Sequence, residues 1–333
     1  FDQLLREIHN ENPGSTLLVN LSSGTPAMKS ALNVISVLAQ YPMQAVQVST
    51  PNRRENPKDE DPKDYDVETD NEADFNNRCH EVKGEHLLVK IKKESIRRLL
   101  DAYDYKAALL LAQDIADFIP ENTMSMLRAA ECRLQLDQRG YAKAMQGIDH
   151  KFQPIEMGEH RLLFEYVLSL QIKMQQGNYS DFLRGLTPVV LDLFEMCLKD
   201  QLKITPEQFC YKTNIGAYRI SADVMQKSEV GKKIMHALQQ GFGDLNIKEE
   251  FIGSMPIMKI FEQMSSNTEL VDDLHRMRAV ESDVRNVAAH EIVSVTDDWI
   301  FRKTKMHAED IMKLLKRLAI YAGVKAKNEY WNS

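Results

Sequence analysis

From about Glu94 to its end the chain repeats apolar residues at helical spacing with few breaks, which commits most of its length to packed helices. The pattern predicts helices at 95–118, 121–137, 140–149, 158–176 and 179–199, punctuated by Gly140, Gly158 and Gly177. A less regular stretch, 200–230, leads to further helices near 231–240, 255–265, 268–293 and 307–322. Tyr103–Asp117 and Tyr141–Asp149 echo one another faintly, too little to define a repeat array.

The region before residue 94 reads differently. Thr16-Leu17-Leu18-Val19-Asn20 has the length and composition of a buried strand. It runs into Leu21-Ser22-Ser23-Gly24-Thr25-Pro26, and a helical pattern follows to about Ala39. Gly24 permits a sharp turn, and Pro26 suits the first helical position, where its missing N–H costs nothing. Hydroxyls and free backbone N–H groups at a helix start favour an anion. Ala45–Val48 is a second strand, so strand, loop, helix and strand make a βαβ unit of a parallel sheet. The loop is neither a Walker loop nor a GxGxxG turn. Taken alone it also fits an ordinary capped strand-to-helix turn. From 52 to 78 the chain is polar and acidic, from Glu55 through Asp74, and reads as a mobile surface insertion. His86–Ile91 reads as a last strand of the sheet.

Composition sets limits on function. No run of about 18 apolar residues occurs, so no membrane span is expected. Four cysteines (79, 132, 197 and 210) show neither CxxC pairs nor zinc spacing, as expected of reduced thiols in a cytoplasmic protein. A net charge of −7 argues against coating nucleic acid by general electrostatics, and no DNA-reading helix is found. An RNA substrate would need a local basic patch. Arg276, Arg278, Arg285, Arg302, Lys303 and Lys305 are candidates.

Residues 285–290, Arg-Asn-Val-Ala-Ala-His, lie within an amphipathic helix whose apolar stripe holds Val280, Val284, Val287, Ala288 and Ile292. With Val284 at zero, Arg285, Ala289, Asn286 and His290 fall at about 100°, 140°, 200° and 240°, outside that stripe. A permanent cation, an amide and an imidazole on one surface suit gripping and cleaving a phosphodiester. The spacing itself is loose: nine His and 17 Arg give roughly 1.4 chance matches, and Arg302 to His307 is a second. That copy reads as a solvated basic turn. No Asp/Glu/His cluster is spaced for two-metal catalysis, so no metal is expected.

Together the motifs resemble one family. Asn-Leu-Ser-Ser-Gly-Thr-Pro-x-Met at 20–28 resembles the ligand loop of CARF domains, the Rossmann-like sensors of CRISPR-associated proteins. Arg-Asn-x-x-Ala-His at 285–290 resembles the catalytic motif of HEPN ribonucleases, and the order is similar to the CARF–HEPN ancillary ribonucleases of type III-A CRISPR systems. The resemblance implies an α/β plus all-α architecture: a CARF sensor at 1–94, a helical connector at 95–199 and a HEPN ribonuclease domain at 200–333. The chain opens Phe-Asp-Gln-Leu-Leu without an initiator Met, and its first strand already bears the loop. The expected CARF domain is thus N-terminally incomplete, with 2–10 the end of a crossover helix.

By the same resemblance the protein is a cytoplasmic homodimer that cleaves single-stranded RNA when cyclic oligoadenylate, hexa- in preference to tetra-adenylate, binds the paired sensors. No cofactor is implied. Arg285 and His290 would be catalytic with Asn286 orienting, and Asn20, Ser22, Ser23, Gly24, Thr25 and Pro26 would bind the activator. Other classes share parts of the pattern: a ligand-responsive regulator has the sensor, and a HEPN toxin or dimerisation module has the helix.

Overall fold

A computed structural model describes residues 1–39, 41–48, 79–82, 85–148, 155, 158–242, 250–290, 294–326 and 331, with backbone alone at 85–86 and 285–290. The expected insertion at 52–78 lies outside the described residues. The chain forms two compact units, Phe1–Glu121 and Asn122–Ser333.

The first unit begins with helix α1 (Asp2–Glu11), strand β1 (Leu17–Asn20), helix α2 (Pro26–Leu38) and strand β2 (Met43–Val48). β1 and β2 pair in parallel, with Val19 opposite Ala45, as the βαβ reading expects. A third strand, β3 (Cys79–Glu81), adds antiparallel to the free edge of β2. The core is small: Val19, Leu21 and Ala45 are buried, with Leu5, Leu32, Met43 and Val82 packed against them.

The expected strand at 86–91 is instead the start of helix α3 (Glu85–Asp101). Val89 and Ile96 are buried while Leu87 and Ile91 are exposed, which is helical rather than alternating burial. A short apolar run does not by itself separate the two states. The expected 95–118 helix also breaks. Tyr103 adopts a left-handed conformation at φ 58°, and Asp104 caps helix α4 (Tyr105–Gln113) by accepting the Ala107 N–H at 3.0 Å.

Beyond α4 come helices α5 (Glu121–Leu134), α6 (Gln138–Ala144), α7 (Glu159–Gln175) and α8 (Tyr179–Leu202). The irregular stretch at 200–230 holds a hairpin of β4 (Cys210–Lys212) and β5 (Tyr218–Ile220), then helix α9 (Ala222–Met225). Helices α10 (Glu229–Phe242), α11 (Ser254–Met264), α12 (Thr268–His290), α13 (Asp297–Thr304) and α14 (Ala308–Tyr321) complete the second unit. α8 is its axis, packing against α7, α11, α12 and α14. Its buried side chains, among them Phe182, Leu186, Val190, Leu193, Phe194 and Cys197, repeat every three to four residues. Gly185 lets α7 approach closely, since a Cβ there would sit 2.3 Å from Leu170 Cδ2. Among the described residues no helix is long and apolar enough to cross a membrane.

Candidate functional site

The loop after β1 is held by its own polar groups. Asn20 Oδ1 accepts the Ser22 N–H at 2.8 Å, which turns the chain out of the strand. Gly24 has φ +100°, a left-handed value strained for any side chain, and reverses the chain toward α2. Thr25 is the N-cap, its Oγ1 accepting the Met28 N–H at 3.3 Å, and Pro26 follows in the first turn.

Two further bonds tie the loop down. Lys29 Nζ donates to the Ser22 carbonyl at 2.7 Å, and Ser22 Oγ accepts the Val48 N–H at 2.7 Å. The Ser22 and Thr25 hydroxyls thus spend acceptor capacity inside the protein and keep a proton to donate. Ser23, Gly24, Thr25 and Pro26 are exposed, and the first turn of α2 carries no acidic residue. A fixed turn, hydroxyl donors, Lys29 and the positive end of α2 form a donor set suited to phosphate and ribose oxygens. All six residues named from sequence are brought together here. Lys29 is an addition, seven positions after Ser22 and on the first turns of α2.

The second site is the C-terminal part of α12. Leu270, Leu274, Met277, Val280 and Val284 are buried at helical spacing against α8, α11 and α14. Two buried carboxylates fix how the helix is rotated. Asp273 accepts from Arg317 Nε at 2.8 Å and Nη2 at 2.7 Å, while Glu281 Oε2 accepts the Ser254 hydroxyl at 2.7 Å. The backbone remains helical through His290; the side chains of Arg285, Asn286 and His290 lie outside the described residues.

The proposed basic patch divides. Arg278 is half-buried, with Nη1 3.7 Å from Glu281, and Arg276 Nη1 lies 3.9 Å from Asp273, so both serve the helix's own charges. Arg302, Lys303 and Lys305 are exposed. The turn expected there is in part helical, since α13 runs to Thr304.

Sequence reasoning missed an acidic cavity of about 480 Å³ in the second unit, lined by Tyr166, Asp192, Glu195, Glu207 and Tyr218 among others. The Tyr218 hydroxyl donates to Glu207. Burial, then the nearby charges of Asp192 and Glu207, push the Glu195 carboxyl up to about 7. Asp192 and Glu195, three apart within an otherwise apolar run of α8 from Pro188 to Leu198, were the available signal. Between pH 4.5 and 7 the folded protein keeps the Glu195 proton and the unfolded chain releases it, so stability falls as pH rises through that window. Glu195→Gln should raise Tm by about 2 °C at pH 8, an effect discounted for solvent access, and by little near pH 4. Thermal melts across that range check this, and parallel curves for the two proteins would contradict it.

Sheet, loop and helical bundle define a protein with a CARF-type domain ahead of a HEPN-type domain. Residues 1–80 match the Csm6 CARF domain, 82–134 the Csm6 6H domain and 152–333 the Csm6 HEPN domain. A CRISPR system endoribonuclease Csm6 from Mycobacterium tuberculosis is 30% identical over 325 residues, covering 95% of this chain and 74% of that one. Its counterpart from Enterococcus italicus is 22% identical, covering 90% and 69%. The solved structure of Enterococcus italicus Csm6 bound to cyclic hexa-2'-fluoro-hexa-dAMP superposes with a TM-score of 0.70 at 18% identity, over 98% of this chain and 74% of that one. The chain belongs to the Csm6 family of CRISPR-associated proteins, whose curated relatives here are endoribonucleases.

Proposed function

We propose that this protein is a cytoplasmic, homodimeric endoribonuclease that cleaves single-stranded RNA without a metal ion, in CRISPR antiviral defence, and is switched on by cyclic oligoadenylate. The carrying observation is the rotation of α12. Its apolar face and the Asp273 and Glu281 anchors bury one side, while His275, Ala279, Ser282 and Asp283 are exposed on the other. Continued at about 100° per residue, the backbone carries Asn286 and His290 into the sector of those exposed positions, and Arg285 to its flank. That register supports a reactive surface.

The reaction follows from the residue types. The 2′-OH of the substrate attacks the adjacent phosphorus and the 5′ oxygen leaves, giving a 2′,3′-cyclic phosphate and a 5′-OH. Arg285 holds the non-bridging oxygens as charge builds on them. His290 takes the 2′-OH proton or supplies one to the leaving oxygen, with Asn286 orienting the imidazole or the phosphate. One helix offers one proton shuttle; two related by a twofold axis offer both, so the chemistry favours a dimer.

The activator reading rests on the loop at 20–26 and its donor hydroxyls, and the bound state of the Enterococcus italicus structure supports hexa-adenylate as the first ligand to try. The switch needs only that the ligand prefer the active pairing, and a 100-fold preference is about 2.7 kcal/mol.

The test is a labelled single-stranded RNA in EDTA, with and without cyclic hexa-adenylate. Activator-dependent, EDTA-resistant cleavage is expected; cleavage that ignores the activator, or stops in EDTA, contradicts the proposal. In the same assay Thr25→Ala should need roughly tenfold more activator, as expected for a lost hydrogen bond to a charged group, and Thr25→Ser, which keeps the cap, should need less than that. Superimposable dose-response curves would remove the loop from the sensor.

A further inference from the structure

The stretch from Asp297 to His307 is more elaborate than a solvated turn requires. Lys305 closes α13 in a left-handed conformation at φ 59°, and Thr304 Oγ1 accepts the Met306 N–H at 3.2 Å. The chain then enters α14 through His307. Asp297, at the start of α13, clasps the far end of this turn: Oδ2 lies 2.7 Å from His307 Nδ1, and Oδ1 accepts the Ala308 N–H at 2.8 Å. With Nδ1 engaged, the free nitrogen of the ring is Nε2.

The fixed imidazole stacks on Phe301, with ring centroids 4.6 Å apart and planes at 19°. Both rings are exposed, Phe301 at 43%. The pair thus keeps aromatic surface open to solvent. Arg302 and Lys303 follow Phe301 along α13 and Lys305 begins the turn; all three are exposed, Lys303 Nζ lying 5.8 Å from the centre of the Trp299 ring and Lys305 Nζ donating to the Arg302 carbonyl at 3.1 Å. Neighbouring carboxylates are largely occupied: Asp297 by His307, and Glu309 by Lys313 at 3.0 Å. Asp298 is exposed, as is Asp310, which lies 4.0 Å from the same Lys313.

Stacked aromatic surface beside several cations is the combination that holds single-stranded nucleic acid, since bases stack on π faces and cations take the phosphates. It also answers the charge balance, because a chain of net charge −7 needs a local patch to draw in RNA. α13 packs against α12, and Asp297 lies seven residues beyond His290, within about 25 Å even if the link were fully extended.

We propose that α13 and the turn to His307 form a docking platform for the RNA substrate, with a base stacked on the Phe301–His307 pair and flanking phosphates held by Arg302, Lys303 and Lys305. The inference rests on the endoribonuclease reading above and assigns these residues to substrate positioning, not to the chemical step.

The test uses the full chain carrying His290→Ala, so that bound RNA persists, and measures anisotropy of a labelled single-stranded RNA over a salt series. Phe301→Ala should weaken binding about tenfold, and Phe301→Trp, which keeps a π face, should restore most of it. Arg302→Ala, Lys303→Ala and Lys305→Ala combined should weaken binding further and flatten the slope of log affinity against log salt by about 2. Circular dichroism checks that each variant remains folded, and cleavage by the unsubstituted chain with cyclic hexa-adenylate present is measured beside them. If that chain cleaves RNA while the variants bind with unchanged affinity and slope, the platform is wrong and the nuclease reading stands. A parent chain that neither binds nor cleaves RNA overturns both.

Discussion

Replacing His290 by alanine should lower cleavage of single-stranded RNA at least ~100-fold with activator present, the range expected when a positioned acid or base is lost. Arg285→Ala should fall as far, since the guanidinium meets charge that grows only as the phosphorane forms. The two losses should not add, because both residues serve one transition state. In the register proposed above both positions lie off the buried side of α12, whose described side chains reach Val284, so melting temperature should move by less than about 2 °C. Single-turnover rates with the activator saturating are the measurement. A His290→Ala enzyme that cuts at the parent rate would end the assignment, whatever the fold.

Arg317→Ala is expected to be the most destabilising simple change outside the apolar core. Asp273 is 3% exposed and its carboxylate is held by two Arg317 nitrogens, so losing that guanidinium leaves a buried charge with the longer 3.9 Å contact to Arg276. Stranding one partner of such a pair costs about 3 kcal/mol, or roughly 6–12 °C in a domain of this size. Combining Arg317→Leu with Asp273→Leu should recover much of that loss, because no charge is left behind. Urea unfolding of the single and double variants decides it; a single variant within about 0.5 kcal/mol of the parent would show that water already serves Asp273. Some catalytic loss should accompany the single change, since this pair sets the rotation of the helix that bears His290.

Where sequence reading succeeded, one physical signal dominated. The loop was legible because Asn20, Gly24, Thr25 and Pro26 each have a local backbone role, and local roles need no knowledge of the rest of the chain. The axis of α12 was legible from the period of Val280 and Val284. Failures came where local chemistry was ambiguous or the deciding partner was distant. His86–Ile91 is apolar enough for a strand, and only its burial in space shows helix. The hairpin at 210–220 is too short for alternation to register. The Asp297–His307 clasp joins residues ten apart across a helix and a turn, and neither residue alone announces it. Glu195 was hidden for the same reason, since its neighbours Glu207 and Tyr166 come from other elements.

The bond between the Val48 amide and the Ser22 hydroxyl couples a contact surface to a framework. That oxygen, by accepting from the strand, becomes a stronger giver of its own proton. A ligand that accepted the Ser22 proton, as proposed above, would therefore tighten the hold of Ser22 on the last residue of the neighbouring strand. In the proposed sensor, occupancy and tension would then be a single event, passed from the loop to the sheet through one peptide group.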